Sequence, residues 1–230
     1  MRKYIKELAA IFFPETCPGC KKPLYTHNRI LCSFCETDLP FTYYQDMKDN
    51  TIEQAFWGRV NIENATALLF YEKHDIVQKL LHSIKYHTHK DLAIRLGELL
   101  GDQIKSSYRF NGIDAIIPVP LHKKKLLKRG FNQSYLIAKG ISLSTGIPVK
   151  TDLLLRIKNT ESQTKKSRTE RCDNVKKAFT ISRNIELWEN KHFIIIDDVI
   201  TTGATLESCI VELLTIKGVK VSVASIATVL

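Results

Sequence analysis

The stretch Phe193-Ile-Ile-Ile-Asp-Asp-Val-Ile-Thr-Thr-Gly-Ala-Thr205 constrains the fold of this 230-residue chain more than any other segment. Its short β-branched apolar run predicts a strand buried on both faces, as in a parallel sheet. Two adjacent carboxylates, Asp197 and Asp198, stand at the carboxyl end of that run. The strand is expected to end at Asp197, where a turn lets both acids approach one ligand. Residues Thr201, Thr202, Gly203, Ala204 and Thr205 then open a helix. Free N–H groups, the positive end of the helix dipole, hydroxyls and a glycine that admits close approach make a phosphate cradle. Carboxylates accept hydrogen bonds from a diol, while amides and hydroxyls donate to a phosphate monoester. A ribose 5-phosphate meets both needs. A plain strand-turn-helix requires neither the second acid nor three threonines.

The surrounding sequence alternates strands and helices. Ala65–Tyr71 and Asp114–Val119 read as short strands, and Val219–Val229 as the last one. Asp75 caps a helix with Ile76, Val77, Leu80, Leu81 and Ile84 on one face; another runs from Asp91 to Lys105. Asn132 caps a helix to about Ser144, and a final helix spans about Ala204 to Lys217. This alternation predicts an α/β fold, a mainly parallel sheet flanked by helices. Ligands of such sheets bind beyond the carboxyl ends of the strands, which singles out Pro118–Leu121 and Asp197–Thr205.

A second constellation precedes this fold. Cys17-Pro-Gly-Cys20 and Cys32-Ser-Phe-Cys35 are two C-x2-C knuckles, whose four thiolates can converge on one tetrahedral zinc. With every position a thiolate, none is open to water, so the zinc is expected to be structural. A segment this short needs such a staple, since it cannot build a core of its own. A pair of disulfides is the alternative, disfavoured in a reducing compartment. Residues 1–50 are expected to form this zinc-binding segment and its linker, and residues 51–230 the larger domain. The basic start, Met1 to Pro14, reads as a short amphipathic helix because Glu7 interrupts its apolar run and no small-residue cleavage site follows. No apolar run reaches 18 residues, so no membrane span is expected and the chain is placed in the cytoplasm.

The charge is distributed unevenly. Residues 121–183 carry 16 Lys and Arg against 4 Asp and Glu, whereas residues 1–120 carry 15 against 14. The excess thus lies in one segment, either a solvated basic surface or the seat of an anionic partner.

The Phe193–Thr205 string resembles the PRPP-binding signature of type I phosphoribosyltransferases at every position: apolar run, acid-Asp, two apolar residues, Thr-Thr-Gly-x-Thr. The resemblance implies that Asp197 and Asp198 bind the ribose hydroxyls and that the loop from Val199 through Thr205 binds the 5′-phosphate. Four cysteines at the N-terminus, Ile84-Lys-Tyr86, Pro118-Val-Pro-Leu121, Arg129-Gly-Phe-Asn-Gln133 and Glu170-Arg171…Asn174-Val175 extend the likeness across the chain. Together they resemble the ComF family of competence-associated proteins. By position in that fold, Val119, Pro120, Leu121 and His122 form the loop that receives pyrophosphate, with magnesium accompanying PRPP. The cations Lys123, Lys124, Lys125, Lys128 and Arg129 follow it, and Lys165, Lys166 and Arg168 fall where these enzymes carry a lid.

Two functions follow as expectations. In the first, the site binds PRPP and the protein handles single-stranded DNA during uptake in natural transformation, with DNA-uptake proteins as further partners. In the second, the protein is an active phosphoribosyltransferase acting on a nucleobase or amine. Phe131, Tyr135 and Phe179 lie near the basic segment and could stack on bases, although core packing is the plainer reading.

Overall fold

The computed structural model describes residues 16–24, 30–72, 75–86, 89–157, 178–182 and 185–229. The helix expected before Pro14 lies outside them. Helix α1 (Ser33–Thr37) follows the second cysteine knuckle, and α2 (Thr51–Phe56) precedes strand β1 (Ala65–Phe70). Helices α3 (Ile76–Tyr86) and α4 (Lys90–Ser106) lead to β2 (Ala115–Pro118). The chain continues through α5 (Lys123–Arg129), α6 (Gln133–Thr145), β3 (Leu154–Arg156) and β4 (Phe179–Ile181). It closes with β5 (His192–Ile200), α7 (Ala204–Leu213) and β6 (Lys220–Thr228).

Four strands form a sheet in the order β1-β6-β5-β2, and all three pairings are parallel. Each face buries one apolar layer, as the continuous apolar run of β5 demands. Ile194 and Ile196 join the layer under α3, α4 and α6, while Phe193 and Ile195 join the layer under α2 and α7. Both sheet edges are partly covered. Thr42 donates its N–H to Leu68 O at 3.1 Å along β1, and Lys150 donates to Ile116 O at 2.9 Å along β2.

Helices α4 and α6 meet backbone to backbone. A Cβ on Gly97 would lie 2.3 Å from Ile137 O, and one on Gly140 would lie 2.1 Å from Ile94 O. Only glycine permits this approach, which sets the start of α6 against the carboxyl end of the sheet.

Three elements differ from the expected ones. Strand β5 runs past Asp197 to Ile200, because its pairing with β6 continues from Asp197↔Ser225 to Ile200↔Thr228 and keeps the backbone extended. Helix α7 stops at Leu213, where i→i+3 bonds from Thr215 and Ile216 tighten the chain towards Gly218, which has φ +70°. The basic run after His122 forms α5, ended by Gly130 at φ +79°. Among the described residues, no helix is long and apolar enough to cross a membrane.

Candidate functional site

The four cysteines of the two knuckles do converge. Their Sγ atoms all lie within 4.8 Å of one another, and Cys20 and Cys32 are 3.7 Å apart. Thiolates bound to one zinc at about 2.3 Å stand about 3.8 Å apart at tetrahedral angles, so the donor set fits zinc. These cysteines are free thiols. Backbone N–H groups face the sulfurs: Cys32 N–H donates to Cys17 Sγ at 3.5 Å, and Cys35 N–H to Cys32 Sγ at 3.4 Å. Burial pushes the Cys17 thiol up, but the N–H groups of Cys32, Cys20 and Gly19 outweigh it and bring the pKa down to about 7. Burial pushes Cys35 far up, helped by the neighbouring sulfurs. Four sulfurs that cannot all ionise together are what a cation relieves. His27 and Cys172 lie outside the described residues. Cys209 is buried on α7.

At the carboxyl end of the sheet, β5 delivers the two acids. Asp198 pairs with Lys85 of α3 at 2.7 Å. The Asp197 carboxylate accepts from Ser134 Oγ at 3.1 Å and from Asp198 N–H at 2.9 Å. Ser134 is brought there by the Asn132 cap, whose side chain accepts the Ser134 N–H at 3.1 Å and donates to Val119 O at 3.0 Å. One capping residue thus ties the start of α6 to the loop after β2 and, through Ser134, to the acidic pair.

Burial, and then the charge of Asp198, raise the Asp197 pKa to about 7; hydrogen bonds from Asp198 N–H and Ser134 and the Lys85 charge oppose this only in part. A carboxyl whose folded pKa lies above its unfolded value costs stability once it must ionise, so this cost grows as pH rises from about 4 to 7. Asp197→Asn keeps the neutral form, and is expected to reduce the drop in melting temperature between pH 5 and pH 7.5 relative to wild type. An equal drop in the two proteins would show that Asp197 ionises at its ordinary pKa.

The loop Thr201–Gly203 leads into α7. Gly203 adopts φ +72° as its N-cap, and a Cβ there would lie 3.0 Å from the Phe56 ring. The loop is therefore seated against α2, and glycine is needed both for conformation and for space. The first turn of α7 leaves its N–H groups without helical partners until Glu207 N–H reaches Gly203 O at 2.8 Å.

Of the remaining expected residues, Val119 is buried and donates its N–H to Ile196 O at 2.9 Å. His122 caps α5, accepting the Lys124 N–H at 3.3 Å. No residue of α5 is buried, and Lys123, Lys124 and Lys128 are exposed. Lys165, Lys166 and Arg168, with Glu170, Arg171, Asn174 and Val175, lie outside the described residues. The antiparallel ribbon of β3 and β4 flanks that segment. Its Arg156 stacks 5.2 Å over Phe179 and interacts electrostatically with Asp197. Phe131 and Phe179 are core residues, whereas Tyr135 is 40% exposed. Arg156 is one of the cations expected at the lid position, but its contacts with Phe179 and Asp197, the role of Ser134 and the ion pair of Lys85 were not foreseen from sequence. Ser134 could have been found from its place beside the Asn132 cap, and Lys85 from its motif.

A parallel sheet with two acids and a helix N-terminus at its carboxyl edge defines a class, and comparison with known proteins agrees with it. Residues 86–230 match the phosphoribosyl transferase domain family. The chain is 30% identical over 192 residues to Competence protein F of Haemophilus influenzae, covering 83% of this chain and 80% of that protein. It is 31% identical over 130 residues to DNA utilization protein YhgH of Escherichia coli strain K12, 55% of this chain and 56% of that one. It is 36% identical over 113 residues to Competence protein ComFC of Bacillus subtilis, 48% of this chain and 42% of that one. The matches to the latter two thus span about half of each relative. The chain belongs to the phosphoribosyl transferase domain family and, within it, to the ComF group. Its fold is that of a type I phosphoribosyltransferase, a parallel sheet flanked by helices, preceded by a four-cysteine cluster that can hold a metal ion.

Proposed function

We propose that this protein binds PRPP at the carboxyl edge of its sheet and handles single-stranded DNA during uptake in natural transformation, in concert with DNA-uptake proteins. The observation that carries the first half is the acidic pair at one end of β5 together with the Gly203 start of α7. In this reading Asp197 and Asp198 hold the ribose diol, and Val199 through Thr205 hold the 5′-phosphate. Val119, Pro120, Leu121 and His122 line the diphosphate side. Magnesium, entering with PRPP, supplies the charge neutralisation that a diphosphate requires. The domain, residues 51–230, carries a zinc-stapled segment made from residues 1–50.

The DNA half is supported by the names of the relatives, a competence protein and a DNA utilization protein, and by α5. A helix with no buried residue that exposes Lys123, Lys124 and Lys128 beside the Val119–His122 loop suits a phosphate backbone. Lys125, Arg129, Lys165, Lys166 and Arg168 belong to the same basic segment. Labelled single-stranded oligonucleotide, titrated at three salt concentrations, is expected to bind with a steep negative salt dependence. Replacing Lys123, Lys124 and Lys125 by Ala should flatten the slope by about 2, at about 0.7 per lost phosphate contact. The loss should be equal for all sequences, because phosphate contacts carry no base information. Absence of binding at low salt would remove the DNA half. The second reading, transfer of the phosphoribosyl group to a nucleobase or amine, would then lead; PRPP-dependent pyrophosphate release across a panel of such acceptors tests it.

A further inference from the structure

Arg59 lies outside every motif of the sequence and N-terminal to residues 86–230, yet it reaches the loop before α7. Its guanidinium is engaged on all three nitrogens. Nη1 donates to Thr202 O and to Ala55 O, each at 2.9 Å; Nε donates to Glu207 Oε2 at 3.0 Å, and Nη2 pairs with the same carboxylate. Its Cζ lies 5.8 Å from the centroid of the Phe56 ring, the ring against which Gly203 is seated. Two adjoining residues of one loop are therefore held from the same side, Thr202 by the guanidinium and Gly203 by the ring.

We infer that Arg59 is a positioning residue that sets the orientation of the Thr202–Gly203 peptide and thereby presents the Gly203 N–H to an anion. The peptide unit is planar and trans, so its C=O and N–H point in opposite directions. Fixing the Thr202 oxygen on Arg59 turns the Gly203 N–H away from Arg59. Rotation of that peptide would break the Arg59 bond and bring the carbonyl oxygen, which repels anions, round to the cradle. A role for Arg59 as a direct phosphate ligand fits less well. Two carbonyls and a carboxylate already occupy its planar fork, and its Glu207 partner would repel a phosphate. Glu207 also lies in the first turn of α7, so the pair joins the loop, the helix and the end of α2 into one unit.

This inference rests on reading residues 201–205 as the 5′-phosphate cradle, and two measurements separate the two ideas. Calorimetry with ribose 5-phosphate and with inorganic pyrophosphate is run on wild type, Arg59→Ala and Arg59→Lys. Arg59→Ala is expected to weaken ribose 5-phosphate about tenfold or more, the scale of one charged hydrogen bond, and to leave pyrophosphate unchanged. Arg59→Lys should restore part of the loss, since an ammonium can reach Thr202 O but cannot hold Glu207 through a planar fork. Equal weakening of both ligands in Arg59→Ala, or full ribose 5-phosphate affinity in that variant, would overturn the positioning role. Hydrogen exchange of the Glu207 amide, which is bonded to Gly203 O at 2.8 Å, provides a readout without ligand. Faster exchange in Arg59→Ala than in wild type supports the latch, and equal exchange refutes it. If wild type binds neither ribose 5-phosphate nor PRPP while exchange still depends on Arg59, the cradle reading fails and the latch stands.

Discussion

Stripping zinc from the protein is expected to lower the melting temperature of the whole chain, with no separate early transition for the cysteine-bearing segment. Cys17, Leu31, Cys35 and Leu39 lie in the same apolar layer as Leu80, Ile84 and Leu96. Glu36, one residue beyond the last cysteine, pairs with Arg95 of α4 at 2.7 Å. A Cβ on Gly19 would lie 3.0 Å from Ile76 of α3. The knuckles thus pack against α4 and against α3, the helix that also carries Lys85 to the acidic pair. Structural zinc contributes about 10–16 kcal/mol of apparent binding free energy in small zinc-dependent peptides. Part of that is expected to reach this shared layer. With about 2–4 °C per kcal/mol for a chain of this size, Cys32→Ser should lose the metal and melt about 10 °C lower. Metal analysis and calorimetry on protein prepared under reducing conditions check both points. A preparation free of zinc would refute the assignment, and an unchanged main transition in Cys32→Ser would show that the staple is local.

Asp198→Asn is expected to weaken PRPP by about 10- to 150-fold in the presence of magnesium. This is the effect of one charge-assisted hydrogen bond of about 1.5–3 kcal/mol. Asp198 is poised for the task. It stands at the carboxyl edge of the sheet and pairs with Lys85, with side-chain exposures of 18% and 29% respectively. A diol arriving there meets a carboxyl group only partly covered by its partner. Lys85→Ala separates this role from that of a mere ion-pair partner. If Asp198 serves only to anchor Lys85, the two substitutions should weaken PRPP equally. If it holds the ribose, Asp198→Asn should cost the larger factor. Wild type and Asp198→Asn binding PRPP with equal affinity would show that the diol is held elsewhere.

Much of this was legible before the fold was known, and the reasons are local. The apolar run of β5, the acids that follow and the threonine-glycine turn have chemistry that depends on neighbours in the chain. The same holds for the C-x2-C spacing and for the Asn132 cap, each of which acts within a few residues. The partners of Ser134, Arg59 and Arg156 were not legible, because they are distant in sequence. Ser134 meets Asp197 across 63 residues, and Arg59 meets Thr202 across 143. The extent of β5 is likewise set by a partner distant in sequence. Asp197 and Asp198 read as the start of a turn, but pairing with β6 holds the backbone extended to Ile200.

By itself, then, the sequence determined the kinds of group present: two acids, a threonine-glycine turn, four cysteines and an excess of cations. Local spacing sets such features, and spacing survives in the unfolded chain. The tertiary structure decided their surroundings. It placed Lys85 against Asp198, half-buried Asp197 so that desolvation and the Asp198 charge raise its pKa to about 7, and set Phe56 and Arg59 behind Gly203. It also laid the cysteine cluster on the core that supports the site. These depend on packing between elements far apart in the chain, where burial and close approach, rather than residue type, set the electrostatics.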